Sequence, residues 1–313
     1  MSDLPTRRLG DDGPEVTVIG LGCNNFGRRV DLEGTRAVVD AALEQGVTFL
    51  DTADIYGGAG RGEELLGEAL AGRRDEVVLA TKFGMDMGDG KGPRGSRAYI
   101  RQAVESSLRR LGTERVDVLW YHQPDGVTPI AETLATLDEL VRAGTVGAIG
   151  HSQVSAEQIE QADAVARERG LTRFCAVQNE YSLLVRDAER DVLPACERLG
   201  LGFVPFFPLA SGLLTGKYRR GEPAPAGTRL AEREQIASDE RLALVEALER
   251  FARQRDVSLL DVAFGYLLAR PAVASVIAGA TRPEQVRANA AARWIPGEQD
   301  LAALSSLLEG AAR

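Results

Sequence analysis

Four side chains able to exchange protons or hold charge stand at or just past the ends of short apolar runs. Asp51 closes the run 48–51, and Tyr56 follows it in Asp51-Thr-Ala-Asp-Ile-Tyr56. Lys82 ends the run 77–82, and His122 ends Val116-Asp-Val-Leu-Trp-Tyr-His122. Singly, each has an ordinary explanation. An aspartate after a strand caps a helix, a tyrosine ring is partly buried, a lysine is solvated, and a histidine is hydrogen-bonded. Four such residues at successive run ends are harder to assign to coincidence. If those runs are adjacent parallel strands, their C-terminal ends aim all four side chains into one mouth.

The elements that must hold them alternate in period. Short apolar runs at 16–20, 48–51, 77–81, 116–121, 146–150, 176–178, 202–207 and 275–278 read as strands. Apolar residues recur at helical spacing over 35–45, 101–111, 130–143, 156–169, 188–199, 239–255 and 259–269. Such alternation predicts parallel strands covered by helices. Eight strand–helix units favour the α/β class and a closed (β/α)8 TIM barrel, a single domain over 1–313 with extra C-terminal helices. Residues 6–18, with Asp12-Gly13 as the turn, read as a β-hairpin outside that series and a plug for the barrel bottom. Two segments break the rhythm: the Gly-rich 84–96, and 219–234 with Gly221, Pro223, Pro225 and Gly227. Both follow strand ends, so both are expected to shape a pocket, with Phe26, Met85 and Trp120 as further walls.

Composition narrows the chemistry. The 313 residues carry 37 Lys and Arg against 46 Asp and Glu, a net charge of −9, which disfavours nucleic acid and anionic membranes as partners. Cys23, Cys175 and Cys196 are odd in number and far apart, so buried reduced thiols are expected rather than a disulfide framework. No apolar leader is visible at the N-terminus, and the most apolar region, 257–280, is broken by Asp261 and Arg270, so a cytoplasmic location is expected. Gly20-Leu-Gly22-Cys-Asn-Asn25 begins like a dinucleotide fingerprint but has Asn where the third glycine belongs. The segment 85–92 lacks the opening Gly and closing Ser/Thr of a phosphate loop. Two histidines, His122 and His151, do not make a zinc site of the His/Cys type, and no metal is expected.

The chain resembles the aldo-keto reductases. The matching segments are Gly20-Leu-Gly-Cys-Asn-Asn-Phe-Gly27, Phe49-Leu-Asp-Thr-Ala-Asp-Ile-Tyr56, Ala80-Thr-Lys82, Asp117-Val-Leu-Trp-Tyr-His-Gln-Pro-Asp125 and Val177-Gln-Asn-Glu-Tyr181. They continue with Pro208-Leu-Ala-Ser-Gly-Leu-Leu-Thr-Gly-Lys-Tyr218 and Gly279-Ala-Thr-Arg-Pro-Glu-Gln-Val286, so the order is kept along nearly the whole chain. The resemblance implies a barrel that binds NADP(H) without a Rossmann fold and interconverts aldehydes or ketones with alcohols. It implies Tyr56 as general acid, Lys82 and Asp51 as the pair that tunes it, and His122 as an orienting or relaying group. Lys82 is expected to lower the phenol's pKa.

By the same resemblance, Ser152 and Gln178 hold the nicotinamide carboxamide, and Phe206 stacks where the family usually has Tyr. Phe207, Pro208, Leu209, Ser211 and Lys217 wrap the pyrophosphate. Cys23 and Asn24 lie near the nicotinamide ribose, and Gly279, Thr281, Arg282, Gln285 and Asn289 near the adenosine. Two positions depart from the pattern. Gln153 replaces the usual Asn, and Gln285 replaces the Arg of many NADP-preferring members, leaving Arg282 as the candidate 2′-phosphate ligand. His151, expected at the pocket or in solvent, is given no role. Two other readings are an NAD(H)-dependent sugar or polyol dehydrogenase and a slow-turnover nicotinamide sensor, like the potassium-channel β subunits that resemble this family. No heptad stripe marks an oligomer interface, and the small-molecule substrate is not specified.

Overall fold

A computed structural model describes residues 4–88, 90, 92–218, 220, 222 and 237–310. Nearly all of the expected 219–234 loop lies outside the described residues.

Eight parallel strands form one sheet: β3 (Ile19–Gly22), β4 (Phe49–Asp51), β5 (Val78–Phe83), β6 (Val116–Tyr121), β7 (Val146–Ser152), β8 (Phe174–Gln178), β9 (Gly202–Phe203) and β10 (Val276–Gly279). They pair in chain order, and β10 pairs with β3. Backbone hydrogen bonds from Phe203 to the carbonyl of Ala272 (2.6 Å) and from Ala274 to that of Phe203 (2.9 Å) bring β9 to the approach of β10. The chain therefore curls into the expected α/β barrel.

Helices wrap it: α1 (Leu32–Glu44), α2 (Tyr56–Ala59), α3 (Arg61–Ala69), α4 (Arg97–Leu111), α5 (Ile130–Arg142), α6 (Ala156–Arg169), α7 (Val192–Leu199), α8 (Asp239–Arg253), α9 (Leu259–Leu268), α10 (Pro283–Ala291) and α11 (Glu298–Gly310). Their starts follow ordinary capping chemistry. Asp31 caps α1 by accepting from Gly34 N, and Ser155 with Gln158 forms a full capping box on α6.

Side-chain alternation along the strands makes two cores. One lies between sheet and helices; the other fills the barrel with Phe49, Ala80, Val118, Trp120, Ala148, Ala176, Val204, Ala274 and Ile277. The N-terminal hairpin, β1 (Thr6–Arg8) with β2 (Glu15–Thr17), adds Leu9 and Val16 to the interior cluster, which closes the barrel bottom.

Several expected boundaries shift for local reasons. The run 16–20 divides, because Glu15–Thr17 completes the hairpin while Ile19 begins the barrel. The run 202–207 is a strand only at Gly202–Phe203, since Pro205 has no N–H to give a ladder and Phe207 takes a left-handed φ of 53°. The helix expected over 188–199 begins at Val192, after a 3-10 turn at Asp187–Glu189. Helices α2 and α3 have no counterpart among the helices expected from periodicity, and α10 and α11 are the expected extra C-terminal helices.

Candidate active site

Strand parity decides what faces the barrel mouth. Asp51 lies two residues beyond Phe49, Lys82 two beyond Ala80, and Gln178 two beyond Ala176. Each continues an inward row past the end of the packed interior. Asp51, Lys82 and Gln178 are buried, as is Ser152 at the end of β7. The structure brings Asp51, Tyr56, Lys82 and His122 together. Lys82 Nζ ion-pairs with Asp51 and donates to the carbonyl of Thr52 (2.8 Å) and to the Tyr56 hydroxyl (3.4 Å). The Tyr56 and His122 rings meet edge-on, with centroids 6.1 Å apart and planes at 88°. Gln178 donates from Nε2 to the free oxygen of Asp51 (3.2 Å), so both carboxylate oxygens are engaged.

Electrostatics refine the expectation for this cluster. Burial works against the Lys82 ammonium, but Asp51 and Tyr56 outweigh it and hold its pKa above the ordinary value. Burial pushes the Tyr56 phenol above its ordinary value, and Lys82 opposes that rise without reversing it. The expected net lowering of Tyr56 is therefore corrected. In this site the ammonium offsets desolvation and Asp51 adds to it, so the phenol keeps its proton at neutral pH. Burial first, and then the Lys82 charge, hold His122 well below the usual histidine range, so its ring is neutral. Its Nδ1 is buried and meets no hydrogen-bond partner among the described residues.

The residues expected near a cofactor lie at strand ends, in the segment after β9 and on α10. Cys23 is buried at the end of β3, and its backbone N–H donates to the carbonyl of Asp51 (2.9 Å). Asn24 and Gly279 face each other across β3 and β10: a Cβ at Gly279 would lie 3.1 Å from Asn24 Oδ1. Ser152 Oγ donates to the Gln178 carbonyl (2.8 Å), which leaves its own lone pairs and Gln178 Oε1 as acceptors. Phe206 and Phe207 are half-buried and meet edge-on at 5.3 Å. Beyond them Pro208 is buried and Leu209 half-buried, and Lys217 lies exposed with Nζ 5.1 Å from the Tyr218 ring. Phe207, Ala210, Ser211 and Gly212 all have positive φ. Within this turn Ala210 N donates to the carbonyl of Phe207 (2.8 Å) and Gly212 N to that of Leu209 (2.8 Å).

Arg282 is the exposed N-cap residue of α10, and Asn289 is buried on that helix. Gln285 is occupied within its own turn, accepting from Thr281 N (2.7 Å) and Thr281 Oγ1 (3.2 Å).

Three expectations change. Phe26 and Trp120 are fully buried and are not pocket walls. Phe26 packs in the sheet–helix core, and Trp120 lies inside the barrel, where a Cβ on Gly150 would come within 2.2 Å of the indole. Met85 is half-buried and stays a candidate wall. His151 is neither in the pocket nor in solvent: it is 2% exposed on the outer side of β7, stacked between Tyr121 (5.7 Å) and Phe174 (4.6 Å). Gln153 has a left-handed φ of 55° and donates from Nε2 to the carbonyl of His122 (3.0 Å), a contact its residue type did not signal. Cys23, Cys175 and Cys196 are buried and free, as expected.

The barrel, the cluster at its mouth and the sequence agree with what comparison finds. The Aldo/keto reductase family model matches residues 18–307, and this chain belongs to that family. Among its relatives is an uncharacterized oxidoreductase, YrpG, of Bacillus subtilis (strain 168), 38% identical over 89% of this chain and 88% of the relative. Probable voltage-gated potassium channel β subunits of Oryza sativa subsp. japonica and Arabidopsis thaliana are 36% and 34% identical, each over 90% of this chain and 89% of the relative. No helix among the described residues is long and apolar enough to cross a membrane.

Proposed function

We propose that this chain, a single barrel domain over 1–313 acting in the cytoplasm, is an NADP(H)-dependent oxidoreductase that interconverts a small aldehyde or ketone with its alcohol. The observation that carries this reading is the Tyr56 hydroxyl 3.4 Å from a buried Lys82 ammonium at the barrel mouth. The rim fits a dinucleotide. Ser152 and Gln178 present acceptors for an amide N–H₂, Phe206 offers a partly open ring, and exposed Lys217 offers a cation for a pyrophosphate. Cys23 and Asn24 would hold the nicotinamide ribose, Phe207, Pro208, Leu209, Ser211 and Lys217 the pyrophosphate, and Gly279, Thr281, Arg282, Gln285 and Asn289 the adenosine. Bound there, NADP(H) supplies or accepts hydride.

The chain's own groups manage the proton and the carbonyl. As a carbonyl is reduced, negative charge grows on its oxygen, and a donor must stand where that charge develops. Tyr56 donates its phenolic proton to that oxygen. Lys82 steadies the phenolate left behind, and Asp51 holds the ammonium in place and limits the cost of burying it. Neutral His122, edge-on to Tyr56, orients the oxygen. In the reverse direction Tyr56 takes the proton from the alcohol.

Tyr56→Phe is expected to cut single-turnover carbonyl reduction by ~10²–10⁴-fold while NADPH still binds. Stopped-flow mixing of NADPH-loaded protein with a carbonyl panel measures it, and undiminished turnover in the variant sinks the assignment. Arg282→Ala is expected to weaken NADPH affinity by about tenfold and leave NADH affinity unchanged, the size of one charge-assisted contact. Titration of both nucleotides checks this. The relatives named as channel β subunits favour one second reading, a slow-turnover nicotinamide sensor. Fast reduction of any panel member by wild-type protein excludes it.

A further inference from the structure

Tyr56 and Lys82 lie on different elements, and their separation must be held by something. Tyr56 opens a turn that does little to fix itself: Gly57, Gly58 and Gly60 have positive φ, and α2 (Tyr56–Ala59) buries no residue. The turn leans on the start of α3, where a Cβ at Gly62 would stand 3.1 Å from Tyr56 Cβ. The next residue, Glu63, is fully buried. Its Oε1 accepts from Thr81 Oγ1 (2.5 Å), and its Oε2 accepts from Arg110 Nε (2.7 Å) and Nη2 (2.6 Å). Thr81 immediately precedes Lys82 on β5. Strand alternation sends Lys82 into the barrel mouth and Thr81 to the helix side, where Glu63 meets it. Arg110, near the end of α4, lies against the Tyr56 turn: a Cβ on Gly60 would fall 2.2 Å from its Nε. On the same side, Asp54 N donates to the Lys82 carbonyl (3.1 Å).

A buried carboxylate is costly unless its oxygens are satisfied, and breaking one partner leaves an uncompensated charge. Here all the satisfaction comes from the two elements that flank the Tyr56 turn. We propose that Glu63 is a positioning residue: by tying α3 to Thr81 and Arg110, it sets the reach from the Tyr56 hydroxyl to Lys82 Nζ. This rests on the reading of Tyr56 and Lys82 as the proton-transfer pair. Glu63 touches no reacting atom and acts through the backbone on either side of them. The groups that face Tyr56 are Lys82, Asp51, His122 and Cys23; those around Glu63 are Arg110, Thr81 and Asp54. Glu63→Gln keeps the shape but loses the charge-assisted fork, and Thr81→Val keeps the shape but loses one donor.

The test reads Tyr56 directly in the cofactor-free full chain. Tyrosine labelled with ¹³C at Cζ is followed by NMR against pH, with the Tyr56 signal assigned by its loss in Tyr56→Phe, and thermal melting is recorded for each variant. Glu63→Gln is expected to displace the Tyr56 titration curve upward by about one pH unit, because the phenol loses Lys82's offset to burial. Thr81→Val is expected to shift it the same way by less, and Thr81→Ser, which restores the hydroxyl, to return it. A Tyr56 curve superimposable on wild type, or displaced downward, in folded Glu63→Gln overturns the proposal. If Glu63→Gln does not fold, Thr81→Val against Thr81→Ser decides on the same criteria. The readout is independent of turnover, so an active Tyr56→Phe would refute the proton-transfer reading and leave this geometric result standing.

Discussion

His122 and His151 sit at the ends of neighbouring strands and are both buried, yet they occupy opposite worlds. His122 follows Trp120 by two residues and shares its inward parity, so it reaches the mouth beside Tyr56 and Lys82. His151 follows Ile149 by two and shares its outward parity, so it enters the layer under α6. There Phe83, Tyr121, His151 and Phe174 stack in series across β5 to β8, at 5.0, 5.7 and 4.6 Å. Neither nitrogen of His151 finds a protein partner among the described residues, and its ring borders a cavity of about 10 Å³ with Ile159, Asp163, Phe174, Val177 and Leu201, the space of one water. Asp163 does not answer it, because its oxygens are taken by Arg167 (2.7 Å) and Arg173 (2.6 Å). Both rings are neutral at pH 7. His151 is so by burial alone, which pushes it down to about 3, whereas His122 is so by burial and a facing ammonium. One residue type, one protonation state and two causes separate a site group from a packing group.

Removing the ammonium breaks this comparison most sharply. Lys82→Met should lower reduction by ~10³-fold, within the range of lost proton-transfer groups, and let the His122 titration rise toward its ordinary value while His151 is unmoved. Histidine NMR on the two resolved rings, with parallel single-turnover rates, measures both. The same variant strands the Asp51 carboxyl, so its melting temperature should also fall.

His122→Asn is expected to cost ~10²-fold in turnover with little loss of stability. In wild type, reduction should show no limb near pH 6.5, because His122 is already neutral there, and should fall only at alkaline pH as the raised Tyr56 phenol ionises. Oxidation of the alcohol, which needs the phenolate, should rise over that alkaline range. A bell with an acid limb near 6.5 would assign His122 a charged role and undo the contrast.

The smallest effect at neutral pH is expected at His151. Its folded pKa is depressed to about 3 against an ordinary 6.5. The unfolded chain therefore binds the extra proton between those values, and stability falls as pH drops through 6.5 toward 3. The loss amounts to a few kcal/mol, roughly 1.4 for each unit of the shift, by pH ~4. His151→Phe keeps the ring stack and should leave turnover and pH 7.5 stability nearly unchanged, while moving the acid-unfolding midpoint lower. Urea melts at pH 7.5 and 4.5 check it; equal acid sensitivity in variant and wild type would show that the ring's burial is not what sets it.

Much of this architecture was legible in the residues. Short continuous apolar runs set between period-3.6 stretches located the eight strands, because a barrel strand is covered on both faces. The polar groups that interrupt those runs at their C-terminal ends marked the mouth. Helix α3 was not legible: Gly62 and Gly67 dilute its apolar stripe, and its key buried residue is Glu63, which local patterning would place in water. The short β9 was overextended because Phe206 and Phe207 are apolar, though Phe206 keeps only an isolated bridge to Glu180 and Phe207 turns left-handed.

The sequence by itself determined the class of barrel and the identity of the four groups at its mouth, since these depend on spacing and residue type along the chain. Only the tertiary structure decided which histidine faces inward, that Tyr56 rises rather than falls in pKa, and that Glu63 ties the acid's turn to the lysine's strand. The physical reason is that parity becomes direction only once strands are in register, and desolvation and ion pairing are sums over neighbours that chain folding alone brings within a few ångströms.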